Sequence, residues 1–366
     1  MTPHASGKLW TIHHGNCLDV MRTMPAESAH AIVTDPPYGL AFMGKNWDRA
    51  VPGPEFWVET LRVAKPGAHM LAFGGTRLFH RLAVAIEDAG WEIRDCVMWV
   101  HGMGFPKSHN IGKAIDRERG AVREQIGPKR RGAQTESTGR YGAWGDGIVD
   151  TIPATDDARK WDGWGTALKP SWEPIIMARK PCIGTVADNV VATGCGAINV
   201  DACRVPMGEE YNPDLVHRQH QSNGAIKGAF GAAALIGKEI PMYKPGGRWP
   251  ANLVHDGSDD VLRLMPDAGV GSAARFFYCA KANNSERYEG AADNDHPTIK
   301  STELMRWCVR LITPPDGVVL DPFMGSGSTG KAAVAEGFRF VGIELEQRYC
   351  DIAAGRIESE HNLFNA

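Results

Sequence analysis

The 366-residue sequence lacks the marks of several protein classes. Its eight cysteines are scattered with no C-x-x-C pair, and Cys195 and Cys203 are too isolated to frame a zinc ion. Reduced, buried thiols and no metal site are the expectation. Nowhere do about 18 apolar residues run together, as a membrane-spanning helix requires. The opening "MTPHASGKLW" has no basic stretch followed by an apolar one, the pattern of a secretory leader, so a soluble, cytoplasmic protein is expected. No internal repeat is present. Positive charge is also in short supply: the net charge is −3, so any nucleic-acid binding must rest on a local excess. Residues 101–180 supply one, with 14 Lys and Arg against 10 Asp and Glu, including "GPKRRG" and "IDRERG".

What is present at the two ends is alternation of strand and helix. "WTIHH" (10–14), "HAIVTD" (30–35), "HMLAFGG" (69–75) and "WEIRDCVMWV" (91–100) read as strands. A helix is predicted from Pro54 to Ala64, with proline in its first turn, and another from Thr76 to Ala89, closed by Gly90. Regularity resumes near the C-terminal end, where Ser301 is placed to cap a helix sharing Leu304, Cys308 and Leu311 on one face. Strand "VVLDPF", helix "STGKAAVAEG", strand "FRFVGIEL" and a helix from about Glu346 follow. Between about 101 and 290, glycine, proline and polar residues are dense; "EPIIMARK" (173–180) and "ARFFYCAK" (274–281) are the strands predicted there. The reading is an α/β core split between the two ends of the chain, 1–100 and 291–366. An irregular insertion over 101–290 separates the halves and contributes a core strand near 173–180.

Two turns carry chemistry. In "IVTDPPYG" (32–39) two consecutive prolines fix φ and remove two N–H groups, giving a rigid turn that presents Asp35 and Tyr38 at set angles. "DPFMGSGSTGKAA" (321–333) follows a strand and opens a helix, where glycines let backbone approach a nucleotide. Gly325 to Lys331 matches G-x-x-x-x-G-K of a phosphate-binding loop, but Ala332 stands where that chemistry needs a magnesium-ligating hydroxyl. On the other reading Gly325 and Gly327 make a close turn for a nucleoside cofactor, and Glu344, 17 residues after Gly327, binds ribose hydroxyls. If the two preceding strands are parallel neighbours, both turns share the crevice at the carboxyl ends of the sheet.

Taken together these residues resemble the amino-group DNA methyltransferases that use S-adenosylmethionine. "TDPPYG" looks like their catalytic motif, "DPFMGSGSTG" like their cofactor loop, and "HPTIKSTELM" (296–305) like the segment holding the methionine end. Catalytic motif first and cofactor loop last is the circularly permuted order of the β class. The resemblance implies a Rossmann-like core with a mostly parallel seven-stranded sheet and helices on both faces, and a target-recognition role for the insertion. It implies that Asp35 and the Pro36 carbonyl accept the hydrogens of a target amine, that Pro37 stiffens the turn and that Tyr38 stacks on a flipped base. It places Asn16, Cys17, Asp35, Thr298, Lys300, Asp321, Pro322, Phe323, Gly325, Ser326, Gly327 and Glu344 around the cofactor. At "GNCLDVM" (15–21) Asn16 replaces the family's usual acid, and "HPTIKS" has Ile and Ser where the family usually has Gln and Pro.

Adenine N6 is the favoured target, because cytosine-N4 enzymes more often resemble Ser-Pro-Pro-Tyr; cytosine, a DNA-binding relative without catalysis, and RNA are the alternatives. Lys129, Arg130, Arg131, Arg218 and Gln219 are the candidates for contact with duplex DNA, with Trp144, Trp161 and Trp164 as candidates for stacking. A homodimer and a bacterial or phage, nucleoid-associated setting follow from the resemblance. The sequence leaves a restriction endonuclease partner open.

Overall fold

The computed structural model describes residues 2–40, 49–102, 104, 108–130, 148–206, 243–244, 247–267, 272–280 and 299–365. Its strands are β1 (Ala5–Ser6), β2 (Trp10–His14), β3 (Ala29–Thr34), β4 (Ala64–Phe73), β5 (Glu92–Val100), β6 (Glu124–Arg130), β7 (Ile148–Ile152), β8 (Trp172–Arg179), β9 (Tyr243–Lys244), β10 (Gly247–Arg248), β11 (Leu253–His255), β12 (Tyr278–Cys279), β13 (Val318–Asp321) and β14 (Arg339–Glu344). The helices are α1 (Cys17–Thr23), α2 (Pro54–Val63), α3 (Phe79–Asp88), α4 (Ile111–Glu118), α5 (Asp156–Lys160), α6 (Val186–Thr193), α7 (Asp259–Leu264), α8 (Thr302–Ile312), α9 (Ser328–Ala335) and α10 (Gln347–Asn365).

The chain divides into two compact units, Met103–Ser171 and the remainder. The larger unit is built on one sheet of order β1-β2-β14-β13-β3-β4-β8-β5-β11-β12. Seven strands, β2 to β5 in that order, form the expected core; β1 at one edge and β11 and β12 at the other extend it to ten among the described residues. Only β8 and the edge strand β1 run antiparallel to their neighbours. Strands from the two ends of the chain interleave: β14 pairs with β2 and β13 with β3, all in parallel.

Burial on both faces explains the near-continuous apolar runs of β3 and β4. Along them the side chains alternate between two cores. Ala31, Val33, Leu71 and Phe73 face the side of Leu304, Trp307, Cys308 and Ile357, from α8 and α10. Ile32, Met70 and Ala72 face that of Met21, Trp57, Leu82 and Ile86, from α1, α2 and α3. On the first side Arg310 grips Glu336 through Nε at 2.7 Å and Nη2 at 2.6 Å, clamping α8 to the end of α9.

Several local expectations are corrected. The third helix begins at Phe79, after a Gly74-Gly75 turn, and not at Thr76. The strand expected over 274–281 is, within the described residues, a 3-10 turn over Ala273–Phe276 leading into the two-residue β12. Ser301 does occupy the N-cap of α8, but its hydroxyl makes no cap hydrogen bond. The smaller unit has regular structure where none was predicted: α4, α5 and the antiparallel pair β6 and β7. There the buried Asp116 accepts Ala154 N–H at 3.0 Å and the Thr155 hydroxyl at 2.8 Å, and Thr155 in turn caps α5.

Candidate active site

Because β3 and β13 are parallel neighbours, the turns that follow them emerge side by side at the carboxyl end of the sheet. The join is made by Asp321, the last residue of β13. Its Oδ1 accepts the Thr34 hydroxyl at 2.7 Å and Phe323 N–H at 3.1 Å, and its Oδ2 accepts the Thr329 hydroxyl at 2.6 Å. Burial pushes its carboxyl up to about 7, against the lowering effect of these donors.

Asp35 and Tyr38 of the proline turn meet two residues from elsewhere. Asp35 Oδ1 accepts the Tyr38 hydroxyl at 2.8 Å, and Asp35 Oδ2 accepts Lys300 Nζ at 2.8 Å. Glu173 of β8 lies across from both: its Oε2 is 3.1 Å from the Tyr38 hydroxyl and 3.3 Å from Lys300 Nζ. Lys300 is 7% exposed, with Nζ 5.0 Å from the Phe73 ring centre and 5.4 Å from that of Tyr38. Burial alone lowers its pKa, but the Asp35 and Glu173 carboxylates outweigh this and push it up to about 12. Burial and the same two carboxylates raise the Tyr38 phenol well above its ordinary value. Gly75 lets the ring lie against the backbone, since a Cβ there would stand 3.1 Å from Tyr38 Cδ2.

The glycine loop is held from three sides. Gly325 and Gly327 adopt φ of 54° and 82°, left-handed conformations that favour glycine. Glu344, at the end of β14, accepts Gly325 N–H at 2.9 Å and Glu346 N–H at 2.8 Å. Its carboxyl is raised by burial, against those donors. Behind the loop the fully buried Arg356 of α10 donates through Nη1 to the Ser326 carbonyl at 2.6 Å and to its hydroxyl at 3.1 Å. Pro322 is buried, and the Phe323 ring packs 5.8 Å from Phe56 and 6.1 Å from Trp57.

Lys331 excludes a phosphate-binding loop. A lysine in that role extends toward the loop; here it is 2% exposed and pairs with Glu360 of α10 at 3.2 Å. Asn16 caps α1, its side chain accepting Leu18 N–H at 2.9 Å, and Cys17 is buried with its thiol pushed up to about 12. Both follow β2, and Gly15 N–H bonds the Glu344 carbonyl at 2.9 Å, so Asn16 and Cys17 sit beside the acid that holds the loop. Thr298, Arg131, Arg218, Gln219 and Trp144 lie outside the described residues, and Lys129 and Arg130 are described in backbone only. Trp161 and Trp164 form an edge-to-face pair with centroids 5.0 Å apart, 38% and 60% exposed. Glu173 and Arg356 are the site residues that sequence reasoning missed. Among the described residues, no cluster of three or more His, Cys, Asp or Glu is placed to hold a metal, and no helix is long and apolar enough to cross a membrane.

The donor set fits a nucleoside cofactor carrying an amino acid. Two side-chain-free positions open the loop, Glu344 has lone pairs left for hydroxyls, and charges of both signs stand at Asp35 and Lys300. A DNA methylase family model matches residues 29–355, and the chain belongs to that family, the N6/N4 amino-group DNA methyltransferases, which use S-adenosylmethionine. Among its relatives, the type II methyltransferase M.HindIII of Haemophilus influenzae is 22% identical over 395 aligned residues, 96% of each chain. The type II methyltransferase M.ScaI of Streptomyces caespitosus is 43% identical over 122 residues, 33% of this chain and 35% of that one. Among solved structures, the M1.HpyAVI complex with SAM covers 95% of this chain and 100% of its own at 18% identity, with a TM-score of 0.44.

Proposed function

We propose that this DNA amino-methyltransferase acts on the N6 amine of adenine, flipped out of duplex DNA into the crevice between the proline turn and the glycine loop. The observation that carries this is the Asp35–Lys300 pair beside the Tyr38 ring, at the mouth of β3. An exocyclic amine is a poor nucleophile because its lone pair is delocalised into the base. The Asp35 carboxylate and the Pro36 carbonyl each accept one amino hydrogen, which localises the pair, while Tyr38 stacks on the base and Pro37 keeps the acceptors fixed. Bound S-adenosylmethionine supplies the electrophile, a sulfonium methyl. Glu344 with the Gly325–Gly327 loop would hold its nucleoside end, with Asn16, Cys17 and Phe323 beside it. Two reactants bound in one crevice make the displacement effectively unimolecular. In the transfer an N–C bond would form as the donor's S–C bond breaks, and the surplus proton of the methylated amine would pass to water.

Adenine is preferred to cytosine because Asp opens the motif. DNA contact is assigned to the insertion, with Lys129, Arg130, Arg131, Arg218 and Gln219 on phosphates and base edges, and the homodimer of the β class is the assembly proposed. Incubating the protein with labelled S-adenosylmethionine and genomic DNA from a methylase-deficient host, then analysing nucleosides by mass spectrometry, tests the reading. N6-methyladenine is expected; N4-methylcytosine would overturn the choice of base, and no labelled DNA would overturn the function. Sedimentation of the purified protein tests the dimer.

A further inference from the structure

The site contains one more carboxylate than its cation needs. Lys300 is removed from water by the Phe73 and Tyr38 rings, and a buried ammonium requires a counter-charge. Asp35 at 2.8 Å already provides it. Glu173 adds a second negative charge, its side chain 23% exposed, and desolvating that charge opposes folding. Its position explains its presence. Both oxygens of Asp35 are occupied, Oδ1 by the Tyr38 hydroxyl and Oδ2 by Lys300, and both donors are within reach of Glu173 Oε2, at 3.1 and 3.3 Å. Glu173 is therefore the alternative acceptor for each group that would otherwise hold Asp35.

Resting on the methyltransferase reading above, we propose that Glu173 is a positioning residue for the transfer. By taking over Lys300 and the Tyr38 hydroxyl when the target amine binds, it frees an Asp35 oxygen for that amine. Its charge is what matters, because a neutral acceptor of the same shape competes poorly for an ammonium. Glu173 comes from β8, the antiparallel strand inside the core, whose register sets Ile175 opposite Phe73 and so brings Glu173 level with the turn after β4.

Glu173→Gln keeps the shape and a hydrogen-bond acceptor but removes the charge; Glu173→Ala removes both. Single-turnover methylation of genomic DNA from a methylase-deficient host is expected to slow by about 10–100-fold in both variants, with affinity for S-adenosylhomocysteine, measured by calorimetry, within about twofold of the unaltered protein. A crystal structure of Glu173→Gln should show Lys300 Nζ moved beyond 3.3 Å from side chain 173 while it keeps its bond to Asp35. A Glu173→Gln rate equal to that of the unaltered protein, or Lys300 unmoved in that crystal structure, overturns the inference and leaves the methyltransferase reading standing. An unaltered protein that methylates no DNA overturns both.

Discussion

The Thr34 hydroxyl donates to Asp321 Oδ1 at 2.7 Å, joining residues 287 positions apart in the chain. Each is the last residue of its strand, so this bond ties together the two turns that the pairing of β3 and β13 sets side by side. The same carboxylate also accepts the Thr329 hydroxyl from the first turn of α9, which ties the loop's helix to the strand it leaves. The proline turn and the glycine loop are thus fixed to a common buried acid.

On the proposed reading, transfer depends on Asp35. Asp35→Ala is expected to lower single-turnover methylation by at least about 100-fold, as loss of a preorganised polar group does. Its thermal midpoint should stay within about 5 °C of the unaltered protein, since Glu173, 3.3 Å from Lys300 Nζ, remains as a counter-charge for the buried ammonium. Retained turnover in labelled-methyl assays would remove Asp35 from the mechanism.

Asp321 should leave a signature in stability against pH. Its folded pKa, about 7, lies above the ordinary 3.8, so between these values the folded chain holds a proton that the unfolded chain has lost. Stability from this group is full below about pH 4 and falls as pH rises to about 7, by up to about 4 kcal/mol. Asp321→Asn does not titrate. The stability difference between the two proteins should therefore swing toward the variant over that window, and urea denaturation at a series of pH values measures it; a difference independent of pH would refute it.

Gly327 combines two constraints, a φ of 82° and a neighbour, Ala353, whose Cβ would lie 2.8 Å from an added Cβ. Gly327→Ala is expected to destabilise by about 2–3 kcal/mol and to weaken S-adenosylhomocysteine binding, both measurable on the same sample by denaturation and calorimetry.

Lys331 gives the opposite pattern. Lys331→Met strands Glu360 in a setting where its side chain is 12% exposed, and a loss of about 2–3 kcal/mol is expected. Adding Glu360→Leu should restore most of that loss. Affinity for S-adenosylhomocysteine should stay within about twofold in both, which calorimetry would show; a large fall would mean that Lys331 serves the ligand after all.

Much of the core was legible because parallel strands buried on both faces announce themselves as apolar runs, and because proline and glycine mark the turns after β3 and β13. The partners of Lys300 were not legible. Placing it beside Asp35 and Glu173 requires the register of an antiparallel strand between β4 and β5, and the sequence around 173 carries no sign of its neighbours. Helix α6 escaped for a different reason: its pattern is inverted, with Asn189 fully buried and Val191 89% exposed. Asn189 turns inward to bond the Pro66 and Cys195 carbonyls at 2.9 and 2.7 Å, so a backbone crossing, and not an apolar stripe, fixes that helix. Arg356 is hidden similarly, as a charge whose burial is explained only by the carbonyl it reaches.

The interleaving of strands has a consequence for synthesis. When the ribosome has made β2 and β3, these two are not partners; they are the banks of a gap two strands wide, which β13 and β14 later fill. Until that late segment emerges, two apolar edges lie open and the crevice has one wall. A chain made only as far as β12 therefore lacks the glycine loop and the Asp321 carboxylate that ties the two turns together.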